Sequence, residues 1–405
     1  MIAHAASPPI PPAVVVGLCT HGLAVARALH RGGVAVTALE SDFRLPGVHT
    51  RAARVVRVPE IGGEELIDTL ISVRDQLPAR PDPVLYLTND HMVRTVGHHW
   101  QLLEGAYRLS WSDCRETVLR LLDKRSLEAH CHEHRLPYPR TGLYPEPYTT
   151  EAPTPSPGTE PRFPLIVKPA HPLSGFKVRL VDDRQGLERL AAIHPHSLPF
   201  LLQEWIPGDD HRIHFTAFYL DRGRIAADFG GRKIASLPPA MGSTLAAEPL
   251  DHDGMRALAE RFFAPLRLSG PASLEAKLDD QDRPWIIEPT VGRTDYWLDC
   301  CVANGVNLPL VEHRTVAGIV PEPPRRGKGT IWFDSERDPT GYLRLRLGGG
   351  ETATRPWRPR FAYWDRGDPA PFGYALLRLA ARTGHRAWKR LTRSRSTGRP
   401  SPHKG

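Results

Sequence analysis

The stretch SLEAKLDDQDRPWIIEPT, residues 273–290, contains two short strand patterns on either side of a polar turn. Residues 273–278 and 284–289 are strand-like, and the intervening DDQDR is typical of a hairpin turn. Facing residues of an antiparallel hairpin have a constant index sum, so a turn centred between Gln281 and Asp282 places Glu275 opposite Glu288. Facing Cβ atoms lie about 4.5–5.5 Å apart, and two carboxylates there repel each other unless a proton or a cation lies between them.

Magnesium suits such a pair of acids, because it prefers oxygen ligands and commonly combines one or two carboxylates with substrate phosphates. The alternative is an acidic hairpin whose charged face is solvated, which is common on antiparallel sheets. The hairpin by itself leaves both interpretations open.

The composition is typical of a globular protein. The 405 residues are enough for two or three domains, and they are 40% hydrophobic and 24% charged. No apolar run reaches the roughly 18 residues that a membrane-spanning helix needs, and the N-terminus lacks the pattern of a secretory signal. Five cysteines without a C-x-x-C pair predict reduced thiols and a cytoplasmic location, with Cys300 and Cys301 as packing residues.

The net charge of +8 is concentrated near the C-terminus. Residues 378–405 contain seven Arg, two Lys and no acid, so this segment carries +9 and the other 377 residues sum to −1. A basic tail on a nearly neutral body does not indicate specific nucleic-acid binding.

Strand and helix patterns alternate in the first part of the chain. Buried strands are predicted at 13–17, 34–40, 53–58 and 83–90, with helices after the first and the third. That alternation is typical of a parallel α/β layer. A helical pattern at 112–136, a Pro- and Thr-rich linker at 144–162 and a second mixed region at 163–318 follow.

Two motifs resemble cofactor sites but lack required residues. The turn GLCTHG, residues 17–22, has Cys19 where a dinucleotide site needs its middle glycine, so a tight strand-to-helix turn is the favoured interpretation. His130 and His134 have the spacing of zinc ligands on one helix face, but no Cys or acid accompanies them at zinc-site spacing. An exposed polar helix end is therefore favoured over a zinc site.

The second region contains two patterns suited to a nucleotide. FPLIVKP, residues 163–169, is an apolar strand with Lys168 near its end, and the next loop has Ser174 and Gly175 at its tip. An ammonium beside such a loop can hold phosphate. FLLQEWIPGDD, residues 200–210, is an apolar strand that ends in a Pro-Gly turn flanked by acids, and it can offer backbone groups to a base and a carboxylate to a ribose.

The ordered set formed by Lys124, VKP, the Ser-Gly loop, QEWIPGDD, GGRK and two acids thirteen residues apart resembles the ATP-grasp superfamily over residues 13–318. It is most similar to the carboxylate–amine ligase branch, which includes D-alanine–D-alanine ligases and D-aspartate ligase. The resemblance implies a combined α/β and α+β architecture, an ATP-grasp fold preceded by a Rossmann-like pre-ATP-grasp domain. It predicts the following division of the chain: a disordered segment 1–12, the pre-ATP-grasp domain 13–111, the ATP-grasp domain 112–318 with its lid at about 163–206, and a C-terminal extension 319–371.

The resemblance also assigns roles to residues. For ATP it implies contacts from Lys124, Lys168, Ser174, Gly175, Glu204, Trp205, Ile206 and Asp210. For Mg²⁺, with Mn²⁺ as an alternative ion, it implies the ligands Glu275, Glu288 and Thr290, although the family usually has Asn at the last position. Arg232 or Lys233 would lie near the γ-phosphate, and Arg293 would hold an anionic carboxylate or acyl phosphate.

The chemistry that the resemblance implies is ATP-dependent amide formation from a small-molecule carboxylate and an amine, through an acyl phosphate. Two alternatives stay open: a thiol or hydroxyl acceptor in place of the amine, and a non-catalytic ATP-binding protein, for which Thr290 is the only support. The segments THG at 20–22 and TND at 88–90 either contact substrate or cap helices.

Residues 372–405 are predicted to form a basic amphipathic helix and tail. On a helix, Leu376, Leu377, Trp388 and Leu391 share one sector with small residues, and six Arg or Lys side chains oppose them. Such a helix either lies on an anionic membrane or packs its apolar face on the protein body. Packing is slightly favoured, because Gly384 weakens an isolated helix by about 1 kcal/mol.

Overall fold

The first layer of the protein is a parallel sheet flanked by helices. The computed structural model describes residues 10–145, 162–170, 176, 178–327, 329–348 and 356–381. The first strands and helices are β1 (Ala13–Val16), α1 (Thr20–Arg31), β2 (Val36–Glu40), β3 (Arg54–Arg57), α2 (Glu65–Arg74), β4 (Val84–Tyr86) and α3 (Asp90–His98). The four strands pair in parallel in the order β3-β2-β1-β4. The predicted parallel α/β layer is confirmed.

The turn between β1 and α1 is held by groups of the protein itself. Glu40, at the end of β2, accepts a hydrogen bond from the backbone nitrogen of Leu18 at 2.7 Å. A Cβ at Gly22 would lie 1.9 Å from the carbonyl oxygen of Gly17, so only glycine allows this close approach. In a dinucleotide-binding fold the acid at the end of the second strand binds the ribose. Here Glu40 occupies that place and closes the turn instead.

Two helices lead to a small antiparallel sheet. The elements are α4 (Arg115–Leu121), α5 (Lys124–Glu133), β5 (Thr141–Tyr144), β6 (Leu165–Pro169), β7 (Arg179–Val181), α6 (Arg184–Ile193) and β8 (Phe200–Glu204). The strands lie in the order β5-β8-β6-β7. Val167, Phe176 and Phe200 form part of a separate hydrophobic core here. Because it has its own core, this lid sheet is a distinct packing unit.

A seven-stranded central sheet forms the rest of the fold. Its strands and the helices around it are β9 (Ile213–Asp221), β10 (Arg224–Leu237), β11 (Ser243–Pro249), α7 (Asp253–Phe263), β12 (Gly270–Leu278), β13 (Pro284–Val291), α8 (Leu298–Ala303), α9 (Leu308–Val316), β14 (Thr330–Phe333), α10 (Gly341–Leu347), β15 (Arg358–Phe361) and α11 (370–381). The strand order is β13-β12-β9-β10-β11-β14-β15. Apolar residues of α7 and of the sheet form one hydrophobic core. Apolar residues of α8, of α9 and of the sheet form a second core.

A β-bulge in the hairpin of β12 and β13 corrects the predicted register. Near the turn, Ala276 pairs with Ile286 and Lys277 with Trp285, whereas Glu275 pairs with Glu288. The constant index sum therefore does not hold across Ile287, which has no partner in the register. The predicted facing of Glu275 and Glu288 is nevertheless confirmed.

The central sheet continues beyond residue 318. β14 pairs antiparallel with β11, and β15 pairs in parallel with β14. The segment predicted as a C-terminal extension therefore contributes two strands to the sheet that carries the acids. The predicted domain limits stay predictions, since sheet pairing does not define them.

α11 packs differently from the favoured interpretation. It is anchored by Phe372 and Ala375, while Leu376 and Leu377 are 50% and 67% exposed. We favoured the interpretation in which the apolar side of this helix packs on the protein body. That interpretation is wrong for Leu376 and Leu377, which are exposed. The rest of the predicted amphipathic helix, residues 382–405, lies outside the described residues. Among the helices that the structure describes, none is long and apolar enough to cross a membrane.

His130 and the paired cysteines lie in the protein interior, whereas His134 is half-buried. His130 is 6% exposed, and its Nε2 lies 2.9 Å from the carbonyl oxygen of Phe262. The interpretation of His130 as part of an exposed helix end is therefore wrong, because α5 packs this side against α7. Cys300 and Cys301 are fully buried in α8, as predicted.

Candidate active site

The two facing acids differ in exposure. Glu288, on the edge strand β13, is exposed, whereas the Glu275 side chain is 14% exposed. Lys233 Nζ lies 2.7 Å from Glu275 Oε2, and Trp297 Nε1 donates to Glu275 Oε1 at 3.2 Å. Glu275 is therefore held by protein groups, and Glu288 is accessible to a ligand.

Lys233 and Glu275 form a buried ion pair with further acids nearby. Burial raises the pKa of Glu275, Asp295 and Glu288 contribute to the rise, and Lys233 opposes it. Burial opposes the charge on Lys233, but Glu275 outweighs that effect, so the pKa of Lys233 is raised. The ammonium is thus stabilised in its charged form by the acid cluster.

The geometry distinguishes the two basic residues of GGRKI. Neighbours along a strand point to opposite faces of the sheet. Lys233 reaches Glu275, whereas Arg232 Nε donates to Glu248 Oε1 at 2.6 Å. Of the predicted alternatives, only Lys233 joins the acid pair.

Asp295 is a third acid of the site, and the sequence reasoning did not single it out. Its Oδ2 accepts hydrogen bonds from Ser273 Oγ at 3.1 Å and Thr290 Oγ1 at 3.0 Å, and its Oδ1 accepts from the backbone nitrogen of Tyr296 at 2.7 Å. Thr290 thus uses its hydroxyl hydrogen within the protein. The signal that could have identified Asp295 is its place in the polar loop seven residues after Glu288.

Arg293 connects this loop to the N-terminal layer. Its Nε lies 2.6 Å from Asp90 Oδ1, and its Nη1 donates to the carbonyl oxygen of Thr294 at 3.0 Å. Burial opposes the guanidinium charge, but Asp90 and Asp295 outweigh it, so the pKa of Arg293 is raised. The Arg293 side chain is 14% exposed and that of Asp90 is 48% exposed, so an anion that binds Arg293 has to compete with Asp90.

His21 provides a second connection between the same two parts. Its Nδ1 lies 3.2 Å from the carbonyl oxygen of Thr88, and its Nε2 lies 2.8 Å from Thr294 Oγ1. Burial, followed by the charge of Arg293, lowers the pKa of His21 to about 4. The ring is therefore neutral at pH 7, with Nδ1 donating and Nε2 accepting. The segments around residues 20–22 and 88–90 thus support the loop that carries Arg293.

The hinge, defined as residues 203–206 (QEWI) at the end of β8, contains an acid that is neutralised. Arg140 makes two hydrogen bonds to the Glu204 carboxylate, at 2.8 Å each, and lowers the pKa of Glu204. Lys168 Nζ donates to Gln203 Oε1 at 3.2 Å, so the predicted lid lysine lies beside the hinge strand. Trp205 and Ile206 directly follow β8 and are half-buried.

Asp210 is largely used inside the protein. Its carboxylate accepts hydrogen bonds from the backbone nitrogens of Ser236 and Ala240, at 3.0 and 3.1 Å, and from the Ser236 hydroxyl. It is 8% exposed, whereas its neighbour Asp209 is exposed. Of the two acids, Asp209 is the one with access to solvent.

The remaining predicted contacts are only partly described. Lys124 begins α5. Ser174 and Gly175 lie outside the described residues.

The residues around Glu288 fit a magnesium ion that also binds phosphates. In the described part of the chain, no group of three His, Cys, Asp or Glu side chains is arranged to hold a metal by itself. Magnesium does not require one, because one or two carboxylates with phosphate oxygens and water complete its shell. The exposed carboxylate of Glu288 beside the cluster of Glu275 and Asp295 provides that kind of partial site.

The comparison with solved structures decides the fold. The chain superposes on an ADP complex of N5-carboxyaminoimidazole ribonucleotide synthetase with a TM-score of 0.63, at 13% identity over 86% of this chain and 90% of that chain. It also superposes on the biotin carboxylase domain of the Hydrogenobacter thermophilus 2-oxoglutarate carboxylase in complex with MgADP, with a TM-score of 0.59, at 13% identity over 80% and 74% of the two chains. The chain has the ATP-grasp fold.

Curated relatives agree with the resemblance to ATP-grasp ligases. D-alanine–D-alanine ligase of Hydrogenovibrio crunogenus is 26% identical over 159 residues, which cover 36% of this chain and 49% of the relative. D-aspartate ligase of Enterococcus faecium is 22% identical over 286 residues, 64% of this chain and 66% of the relative. The chain thus spans about half of one relative and just under two thirds of the other. No family model matches it.

Proposed function

We propose that this ATP-grasp chain is an ATP-dependent ligase that joins a small-molecule carboxylate to an amine. The observation that supports it most is the group of charges at one end of the central sheet. Glu275 and Glu288 face each other there, with Lys233 on the first, and Arg293 follows in the next loop. The similarity to D-alanine–D-alanine ligase and D-aspartate ligase supports the same reaction class.

The proposed nucleotide site lies between the lid sheet and the central sheet. Lys168 would contact the phosphates, together with Lys124, Ser174 and Gly175 by resemblance. The backbone of residues 204–206 would bind the base, because Arg140 already neutralises Glu204. The sugar would be bound by an acid of the Asp209–Asp210 turn, and Asp209 is the more exposed of the two.

The proposed reaction has two steps. A carboxylate oxygen of the substrate attacks the γ-phosphorus of ATP, the bond to the β–γ bridging oxygen breaks, and ADP leaves. The amine nitrogen then attacks the acyl carbon, phosphate leaves, and the nitrogen loses one proton. Lys233 and Arg293 would offset negative charge on the transferred phosphoryl group and on the acyl phosphate.

Glu288, Glu275 and Thr290 would hold magnesium in this site, with Mn²⁺ as an alternative ion. The bound ion supplies charge neutralisation on the phosphate oxygens. Thr290 can contribute only an oxygen lone pair, because its hydroxyl hydrogen is donated to Asp295. Its share in metal binding would therefore be weaker than that of an amide oxygen.

A screen for phosphate release tests the proposed function. The chain is incubated with ATP, Mg²⁺ and a library of carboxylates, with and without a library of amines, and products are identified by mass spectrometry. Phosphate release that requires both substrates and yields an amide supports the proposal. A thioester or ester product would indicate a different acceptor, and ATP binding without turnover on any pair would indicate a non-catalytic binder.

We also propose that α11 and the residues after it contact an anionic membrane surface. Leu376 and Leu377 are exposed on α11, and residues 378–405 carry +9. Each basic residue near such a surface contributes about 1 kcal/mol. Co-sedimentation with anionic and neutral vesicles tests this for the whole chain and for a Leu376→Ser, Leu377→Ser variant. Equal pelleting of both proteins on anionic vesicles, or of neither, would contradict it.

A further inference from the structure

Lys277 is a buried cation of the site to which no role has been assigned so far. It lies on the same face of β12 as Glu275, two residues nearer to the hairpin turn, because alternate residues of a strand share a face. Only 5% of the residue is exposed. Two residues of strand correspond to about 6.6 Å, so the ammonium belongs to the same surface as the acid pair.

The Lys277 ammonium lacks a hydrogen-bonding partner among the described residues. Its contact there is with the ring of Trp205, whose centroid lies 5.8 Å from Nζ. Asp210 and Asp209 oppose the burial that lowers the pKa of Lys277, but Asp210 is already occupied by Ser236 and Ala240. Among the described residues, Nζ is not one of the fully buried polar atoms that lack a partner, so it is accessible to a ligand that supplies an acceptor.

The surroundings of Lys277 belong to the hinge rather than to the phosphate side of the site. Lys277 Cε lies 3.6 Å from the position that a Cβ would take at Gly208, in the turn after Trp205. The lysines proposed for the phosphates, Lys168 and Lys233, contact Gln203 and Glu275. The ammonium is therefore positioned under the part of the site proposed for the base and the sugar.

We propose that Lys277 binds the nucleoside part of ATP by donating a hydrogen bond to an acceptor atom of the ribose or the base. The inference rests on the proposed ATP site. Lys277 would then determine nucleotide affinity together with Trp205, without taking part in phosphoryl transfer.

Binding measurements with three probes test this inference. The Kd values of ADP, adenosine and inorganic tripolyphosphate are measured calorimetrically for the wild-type chain and for Lys277→Met. We expect the Kd of ADP and of adenosine to rise about 10-fold, the loss typical of one hydrogen bond to a charged group. The Kd of tripolyphosphate should not change. Arg283→Met, which removes an exposed cation from the same hairpin, is the matched control.

The outcomes separate the inference from the proposed ATP site. A wild-type chain that binds no ADP would overturn the ATP site itself. A wild-type chain that binds ADP, with a folded Lys277→Met variant that binds adenosine equally well, would overturn the role of Lys277 alone. Loss of affinity for tripolyphosphate but not adenosine would also overturn it, in favour of a phosphate contact. If Lys277→Met does not fold, Lys277→Leu, which also lacks a donor, replaces it and is judged by the same outcomes. A loss that disappears with 2′-deoxyadenosine identifies the ribose 2′-hydroxyl as the acceptor, and one that persists excludes that hydroxyl.

Discussion

Glu288 and Glu275 face each other, but only Glu288 can be replaced without disturbing the interior. Glu288 is exposed, whereas replacing Glu275 would leave Lys233 buried without its partner, which typically costs about 3–5 kcal/mol. We expect Glu288→Gln to lower Mg²⁺-dependent turnover by roughly 100-fold or more, since it removes a charged ligand near the phosphates. The free energy of unfolding should stay unchanged.

Asp280→Asn, at an exposed acid in the same hairpin, is the control and should retain full turnover. Full turnover of a folded Glu288→Gln protein would remove Glu288 from the site.

Glu312 makes the stability of the protein depend on pH. It is 4% exposed, Ser110 Oγ lies 2.5 Å from its Oε1, and burial raises its pKa to about 8. The unfolded side chain releases its proton near pH 4.3. Between about pH 4.3 and 8 the unfolded state therefore binds fewer protons, and the free energy of unfolding falls by about 1.4 kcal/mol per pH unit from this group.

Urea unfolding between pH 5.5 and 8.5 measures this effect. Glu312→Gln removes the titrating group, so the difference in the free energy of unfolding between variant and wild type should shift in favour of the variant as pH rises. A difference that is constant over this range would show that Glu312 is already ionised in the folded protein.

At the level of an element, the loop after β13 depends on Gly292. Its φ is +74°, and a Cβ there would lie 2.8 Å from Val93 Cγ1 and 3.0 Å from Val118 Cγ1. We expect Gly292→Ala to lower the free energy of unfolding by about 1–3 kcal/mol and to reduce turnover, because Arg293 follows directly. Gly318 has the same φ of +74° with no atom near its Cβ position, so Gly318→Ala measures the backbone strain alone. Equal losses in the two variants would mean that the steric contact is unimportant.

The elements that the sequence predicted well are those with a local signal. Apolar runs located the parallel strands of the first layer. The polar DDQDR between two apolar segments located the hairpin of Glu275 and Glu288. Local patterns of this kind depend on neighbours in sequence, so no tertiary information was needed.

The features that were missed depend on the sheet as a whole. The choice between Arg232 and Lys233 depends on which of them lies on the face of the central sheet that carries Glu275. The sequence of β10 alone does not define that face. Asp295 reaches Thr290 and Ser273 only after the chain has turned back across Gly292. Asp210 was predicted to bind a ribose, and the sequence did not indicate its hydrogen bonds to the backbone nitrogens of Ser236 near the end of β10 and of Ala240 in the turn after it.

At the level of the whole molecule, a buried ion pair joins the two ends of the described chain. Arg27 Nε lies 2.8 Å from Asp368 Oδ2, with side-chain exposures of 3% and 5%. Asp368 also accepts from Thr50 Oγ1 at 2.5 Å and from the backbone nitrogen of Arg51 at 2.9 Å. We expect Asp368→Ala to lower the free energy of unfolding by about 3–5 kcal/mol, because Arg27 is left buried without its counter-ion.

Urea denaturation measures this loss. Asp42→Ala, which breaks the exposed pair of Asp42 and Arg44, is the control and should leave the midpoint nearly unchanged. A similar midpoint for Asp368→Ala and Asp42→Ala would mean that the residues after β15 contribute little to stability.

The late position of β14 in the chain has a consequence for synthesis on the ribosome. β11 ends at Pro249 and its neighbour β14 begins at Thr330, so the ribosome adds about 80 residues between them. At roughly 5–20 residues per second, the outer edge of β11 stays unpaired for about 4–16 seconds in every nascent chain. An unpaired strand edge attracts other strands. Nascent chains on neighbouring ribosomes of one messenger RNA would therefore be most prone to aggregation during this interval. Chaperones that cover the unpaired edge of β11 would be needed most at that stage.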